Sequence, residues 1–328
     1  MSAERSTVLH RYTKFLAGCT ILLILAGSLV TSNGAGLSVP DWPTTYGWNL
    51  FTFPPSMWVA NIFYEHGHRL IASAVGFLTV LLVIWLWLSD AAPWVRRTGA
   101  AALSAVIAQG ILGGVTVLFF LPPAVSTAHA ALAEIFFCLI VSLTLFTSPG
   151  WNEPHATVDD RRLRGWATAT TLVIYAQILI GATMRHTGAG LAIPDFPWMF
   201  GHVIPDRWSQ AVAIHFAHRL GAIAVVIATA SLAAHIWRHH ASRPQLAVPA
   251  VLLLLLVLAQ LTFGALNVLS GLRPWVNSAH VVVGALVLTT SLVVTLRSWQ
   301  SRFPAARADR AARASMNTFS LAANAKGL

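Results

Sequence analysis

Charge is what this chain has least of. Only 10% of its 328 residues are Asp, Glu, Lys or Arg, where a soluble domain carries roughly a quarter. Long stretches hold no charge at all, which excludes a water-soluble globule. Cysteine is nearly absent too. Cys19 and Cys138 both fall inside apolar runs, far from any Cys-x-x-Cys spacing, so they read as inert core thiols without a metal or redox role. No cleavable signal pattern opens the chain, because the first apolar run continues as a spanning helix. Acids are scarce against bases, and the net charge of +10 first suggests nucleic acid. The basic residues, however, sit singly or in short groups between apolar runs, as in membrane loops. The partner this implies is a lipid bilayer and no nucleic acid.

What is present in abundance is apolar sequence, 56% of the chain. A hydrocarbon layer about 30 Å thick takes about 20 helical residues to cross. Runs of that length lie at about 14–33, 66–89, 98–120, 124–147, 165–185, 210–236, 246–268 and 275–298, with prolines or charge in every gap. The expectation is an all-α integral membrane protein of eight transmembrane helices. Of the 21 Lys and Arg residues, sixteen lie on the side carrying both termini and five on the other. The positive-inside rule then makes both termini cytoplasmic in a multi-pass protein of the cell membrane.

The chain also repeats itself. GAGLSVPDWPTTYG (34–47) answers GAGLAIPDFPWMFG (188–201), and HRL at 68–70 answers HRL at 218–220. Gln109 and Gly113 answer Gln260 and Gly264, and STAH (126–129) answers NSAH (277–280). Two tandem four-helix bundles, 1–150 and 151–300, are expected, followed by a basic cytoplasmic tail at 301–328. An even number of spans per copy relates them by a pseudo-twofold axis along the membrane normal. The loops containing the repeated Pro-Asp-aromatic-Pro core carry Trp42, Trp48 and Trp58 in one copy and Trp198 and Trp208 in the other. They read either as an interfacial aromatic belt or as caps over a pocket.

Four histidines fall at equivalent places, a few residues inside the external ends of the second and fourth spans of each copy: His68, His129, His218 and His280. Each bundle can thus turn two imidazoles toward one another, as six-coordinate heme iron requires. A lone membrane histidine can simply bond a neighbouring helix, but repetition favours ligands. Zinc fits less well, since it takes three or four close donors. His66 and His215 could add to the count but show no mutual repeat symmetry. Arg69 and Arg219 directly follow ligands and suit heme propionates, or else they snorkel to headgroups. His10, His155, His235, His239 and His240 read as solvated on the cytoplasmic side, and His186 and His202 as loop residues without an assigned partner.

The copies differ where chemistry would matter. Alignment sets Glu65 opposite His215 and Glu134 opposite Ala285. Glu65 lies one turn from His68 on the same helical face, so the first bundle alone brings a carboxylate to its site for proton handling. Glu134 either relays protons or bonds a neighbouring helix.

Eight spans in two repeats, GLSVPDWP, the Glu-x-x-His-Arg of 65–69 and the four histidines together resemble the heme A synthase family over about residues 14–298. The resemblance implies oxidation of the C8 methyl of heme O, the substrate, to the formyl group of heme A by successive hydroxylations, for terminal oxidase biogenesis. It implies that His68 and His129 hold the substrate heme, that Glu65 acts beside it, and that His218 and His280 ligate a resident heme b. A heme O synthase and an electron donor are the implied partners, and a homo-oligomer stays open. The chain departs from the family in having no loop cysteines, with Val39, Thr45 and Ile193 in those neighbourhoods, and in having Thr31 where an arginine is common. Two rival readings stand beside this one: a diheme b-type electron-transfer cytochrome without heme O chemistry, and a transporter built on parallel repeats.

Overall fold

Four of the eight long helices open on proline. Pro93, Pro123, Pro244 and Pro274 sit in first turns, where the missing N–H has no intrahelical acceptor to lose. These prolines, which in sequence mark gaps between spans, are thus the first residues of spans. The computed structural model describes residues 3–89, 91–151 and 158–303. Its long helices are α1 (Ala3–Ser32), α2 (Ala60–Leu88), α3 (Pro93–Leu118), α4 (Pro123–Phe146), α5 (Arg161–His186), α6 (Gln210–His240), α7 (Pro244–Leu269) and α8 (Pro274–Trp299). Each is long and apolar enough to cross a membrane, as expected of an all-α integral membrane protein. The tail beyond 303 and His155 lie outside the described residues.

Helices α1 and α2 begin earlier than their apolar runs, because a helix satisfies its own backbone and extends its polar first turns into the headgroup layer. Likewise His186 is the last residue of α5, a helix end where the sequence suggested a loop.

In the first half α1 packs on α2 and α4, and α3 packs on the same two, closing a ring of four; α5–α8 close a second ring in the same way. The rings meet through α1 with α8, α4 with α5 and α4 with α8. Exchanging the halves maps this set of contacts onto itself, as a two-fold axis between α4 and α8 would. Each ring encloses its own core, one containing Leu16, Leu82 and Ile140 and the other Leu163, Leu232 and Leu288. Lipid supplies no apolar drive for helix association, so close approach at small residues does this work. A Cβ on Gly99 would lie 2.7 Å from Leu86, and one on Gly114 would lie 2.5 Å from the Trp42 ring. Trp42 thereby pins the first long loop against α3.

The loops after α1 and α5 are folded around an aspartate in the same manner. Asp41 accepts hydrogen bonds from the Tyr46 N–H (2.8 Å), the Gly47 N–H (2.9 Å) and the Thr44 hydroxyl (2.5 Å). Asp195 accepts from the Phe200 and Gly201 N–H groups, both at 2.8 Å. The turn places Tyr46 and Phe200 at φ of 51° and 57°, followed by Gly47 and Gly201 at 77° and 79°, a left-handed conformation that glycine adopts without steric cost. Burial works to raise the Asp41 carboxyl, but the donors from Gly47, Thr44 and Tyr46 outweigh it and hold it below its ordinary value.

Candidate functional site: two histidine pairs beneath the loops

Each candidate ligand histidine backs onto a glycine of the neighbouring helix. A Cβ on Gly27 of α1 would lie 2.9 Å from Cε1 of His68, and one on Gly181 of α5 would lie 2.8 Å from Cε1 of His218. The corresponding distances are 3.4 Å from Gly113 to His129 and 3.3 Å from Gly264 to His280. Four helices thus carry rings and four carry the notches that seat them. The Nδ1 edges of His68, His129 and His280 turn toward the backbones of Leu23, Gln109 and Gln260, one turn before each glycine. They stop short of hydrogen-bond geometry and stay buried without a partner. For His68 and His129 this leaves Nε2 as the nitrogen directed away from the neighbouring helix, whereas Nε2 of His280 already lies 3.3 Å from the Gln260 amide.

The pairs do meet. The rings of His218 and His280 lie 6.4 Å apart, centroid to centroid, at 68°, and His68 and His129 are close enough to interact electrostatically. With metal–nitrogen bonds of about 2 Å, two imidazoles sharing one ion between their Nε2 atoms have centroids roughly 6 Å apart. The second pair therefore has the ring separation that a shared metal ion requires.

Glutamines brace the pairs unequally. Gln177 donates through its amide to Nδ1 of His218 (3.1 Å) and to its carbonyl (2.8 Å), and Gln260 lies 3.3 Å from Nε2 of His280. In the first pair Gln109 reaches only the His129 carbonyl, at 2.9 Å. The position equivalent to Gln177 is Leu23, so no amide braces His68.

The residues above the pairs tie helices to loops. Arg69 donates to the carbonyls of Asp41 (2.8 Å), Thr44 (2.9 Å) and Val39 (2.9 Å) and to Glu65 Oε1 (2.8 Å). Arg219 donates to the carbonyls of Trp198 (2.8 Å), Asp195 (2.7 Å) and Ile193 (3.3 Å). Both guanidiniums therefore clamp the loops, a role the sequence reading did not weigh beside propionate contact or snorkelling. Glu65 Oε2 accepts from the Val39 N–H at 2.8 Å, and at the equivalent place His215 Nδ1 accepts from the Ile193 N–H at 3.3 Å. The repeat partner of His215 is thus Glu65 and not His66, which bonds Thr45 at 3.1 Å and packs against Phe53 and Trp58. Both loops need an acceptor here, and only the first half uses a carboxylate for it.

Glu134 is buried in α4, with Oε2 lacking any partner, in the neighbourhood of Cys138 and of Tyr175 on α5. It sits at the seam between the rings, where no loop residue reaches it.

This is an eight-helix membrane protein with a glycine-seated histidine pair in each of two bundles under matching loops. The sequence pattern of COX15-CtaA, cytochrome oxidase assembly protein, matches residues 10–292. The chain belongs to that family. It is 30% identical to the heme A synthase of Halalkalibacterium halodurans over 302 residues, covering 88% of this chain and 97% of that one. It is 30% identical over 256 residues to that of Shouchella clausii, covering 76% and 83%, and 29% identical over 318 residues to that of Geobacillus kaustophilus, covering 93% and 97%.

Proposed function

We propose that this protein acts in heme A biosynthesis as a membrane oxidoreductase, converting the C8 methyl of heme O to the formyl group of heme A. The observation that carries this reading is the asymmetry at one repeated position. Glu65 and His215 fill the same place beneath the same loop motif, so only the first half carries a carboxylate there, one helical turn before its first ligand histidine. On this reading His68 and His129 hold heme O as substrate in the N-terminal bundle, and His218 and His280 hold a resident heme b in the C-terminal one. That heme supplies one-electron transfer when bound.

In net terms R–CH3 + H2O gives R–CHO + 4 H+ + 4 e−, in two hydroxylations followed by loss of water from the gem-diol, and the four electrons pass to an external oxidant. Alcohol oxidation and dehydration both move protons, and on this reading Glu65 takes them, with its carboxylate held by Arg69 and the Val39 N–H. Membrane topology on this reading has both termini in the cytoplasm and both sites toward the external face, with a heme O synthase and an electron donor as partners.

The test is a heme extraction from protein expressed with and without a heme O synthase. Heme b alone in the second case, joined in the first by heme O, heme A or an alcohol intermediate, is the expected result. Heme b in both cases would make the chain an electron-transfer cytochrome.

A further inference from the structure

His235 and His240 on α6, which in sequence look like solvated helix-end residues, are held well inside the protein. Their Nε2 atoms both donate to one oxygen of Asp160, Oδ2, at 2.8 and 2.9 Å. Only 13% and 10% of the two histidine side chains and 22% of the aspartate are exposed. The other carboxylate oxygen, Oδ1, accepts the N–H groups of Arg162 (2.8 Å) and Leu163 (3.1 Å) as the cap of α5. Asp160 is therefore oriented from behind, with Oδ2 presented to the two imidazoles. His239, on the exposed side, packs against His235 with centroids 4.7 Å apart and the rings tilted by 50°.

We propose that Asp160, His235 and His240 form a binding site for a divalent first-row metal ion, of the zinc type, at the end of the molecule opposite the histidine pairs. The three donor atoms all lie within 4.8 Å of one another. Two imidazoles and a carboxylate are a common three-ligand set for such ions, leaving a fourth position for water or for His239. Bonds of about 2.0–2.1 Å put tetrahedral donors roughly 3.3 Å apart, so the two His–Asp contacts at 2.8 and 2.9 Å open by about half an ångström, and the two imidazole nitrogens, within 4.8 Å of each other, adjust to the same separation. The cap bonds to Oδ1 supply the outer-shell orientation that metal carboxylates normally have.

The first repeat acts as an internal control. The place equivalent to His235 is Trp85, whose ring packs 5.6 Å from that of Tyr12. The four-helix unit therefore closes without the cluster, and packing does not account for its presence in the second half. A metal there ties the start of α5 to the end of α6, independently of any reading of the histidine pairs.

The experiment uses full-length, heme-loaded protein with any affinity tag removed, washed with chelator and titrated with Zn²⁺ by calorimetry alongside metal analysis. His235→Gln and His240→Gln keep an N–H donor for Asp160, so the hydrogen-bonded clamp survives while a ligand is lost. One equivalent of Zn²⁺ per chain is expected, bound more than about tenfold more weakly by each variant, since even an outer-shell loss costs that much. If a variant fails to fold, Asp160→Asn, which preserves a helix cap, takes its place with the same expected loss. Zn²⁺ binding that is absent, or equal in the wild type and the variants, would overturn the proposal and leave a His–Asp–His hydrogen-bonded clamp.

Discussion

A single hydrogen atom in place of a methyl group decides whether two of the four imidazoles, His68 and His218, can sit where they do. A Cβ at Gly181 would come within 2.8 Å of the His218 ring, and the ring can avoid it only by rotating out of its present position. Overpacking of this kind costs about 1–3 kcal/mol. Gly181→Ala should therefore leave the bundle folded but lower bound heme b several-fold or abolish its low-spin absorption. Gly76→Ala, where a Cβ meets nothing within 4 Å, should change neither, and equal spectra in both variants would refute the notch. Glu65 permits a second test at this scale. Glu65→His installs the residue that the second half uses at that position, so the loop keeps its acceptor and the site loses its carboxylate. Heme O should bind and accumulate unoxidised; normal heme A output from this variant would remove the proton-handling role. The histidines were legible because they repeat, whereas the notches were not singled out. Gly113 and Gly264 stood in a repeated block, and Gly27 answers Gly181 as well, but nothing in a sequence says which side chain a helical glycine faces.

At the scale of the element, the two loops are small folding units organised by an aspartate and clamped from below by an arginine. The repeated Pro-Asp-aromatic-Pro motif was plain in the sequence. That its aspartate collects the N–H groups of residues five and six positions on, and that Arg69 and Arg219 hold loop carbonyls, needed coordinates, because both roles depend on turn geometry. The Asp41 carboxyl is held below its ordinary value by donors that outweigh burial. A depressed folded value means that its contribution to stability is complete above the unfolded value of about 3.9 and is lost as pH falls through the folded one. The first loop should thus keep its protection from proteolysis from neutral pH down to about 4 and lose it only below that. Asp41→Asn should loosen the loop at every pH by about 0.5–1.5 kcal/mol, the usual net worth of a hydrogen bond, because the donors from Tyr46 and Gly47 are exposed to water. Limited proteolysis of the 33–59 segment checks both; a loop equally resistant in wild type and variant would show that Arg69 alone suffices.

Across the whole molecule, the two rings are alike enough that their count, order and axis could be read from the repeat, and the contact pattern follows it. The seam between them breaks the symmetry. Arg185, at the end of α5, crosses to α1, donating to the Ser28 carbonyl (2.8 Å), the Ser28 hydroxyl (3.0 Å) and the Ser32 hydroxyl (2.8 Å). Ser32 in turn meets Ser278 of α8 at 3.1 Å. The equivalent residue of the first half is Thr31, which only bonds back to the Gly27 carbonyl at 3.4 Å. One arginine therefore joins three helices from both bundles, within electrostatic reach of His280, and no arginine stands at the equivalent place in the first half. Nothing along the chain pairs Arg185 with residues more than 150 positions away, so this link is not legible in the sequence. Hydrogen bonds to a charged group contribute about 1.5–3 kcal/mol each, and lipid offers the freed serines no substitute. Arg185→Met should consequently lower the temperature at which detergent-solubilised protein releases heme and precipitates, while each four-helix half keeps its helical content. Arg185→Lys should recover part of the loss, because a single ammonium reaches fewer of the three acceptors than a planar fork does. If Arg185→Met melted at the wild-type temperature, the seam would be held by packing between α4 and α8, and the arginine would be free to serve a bound anion instead.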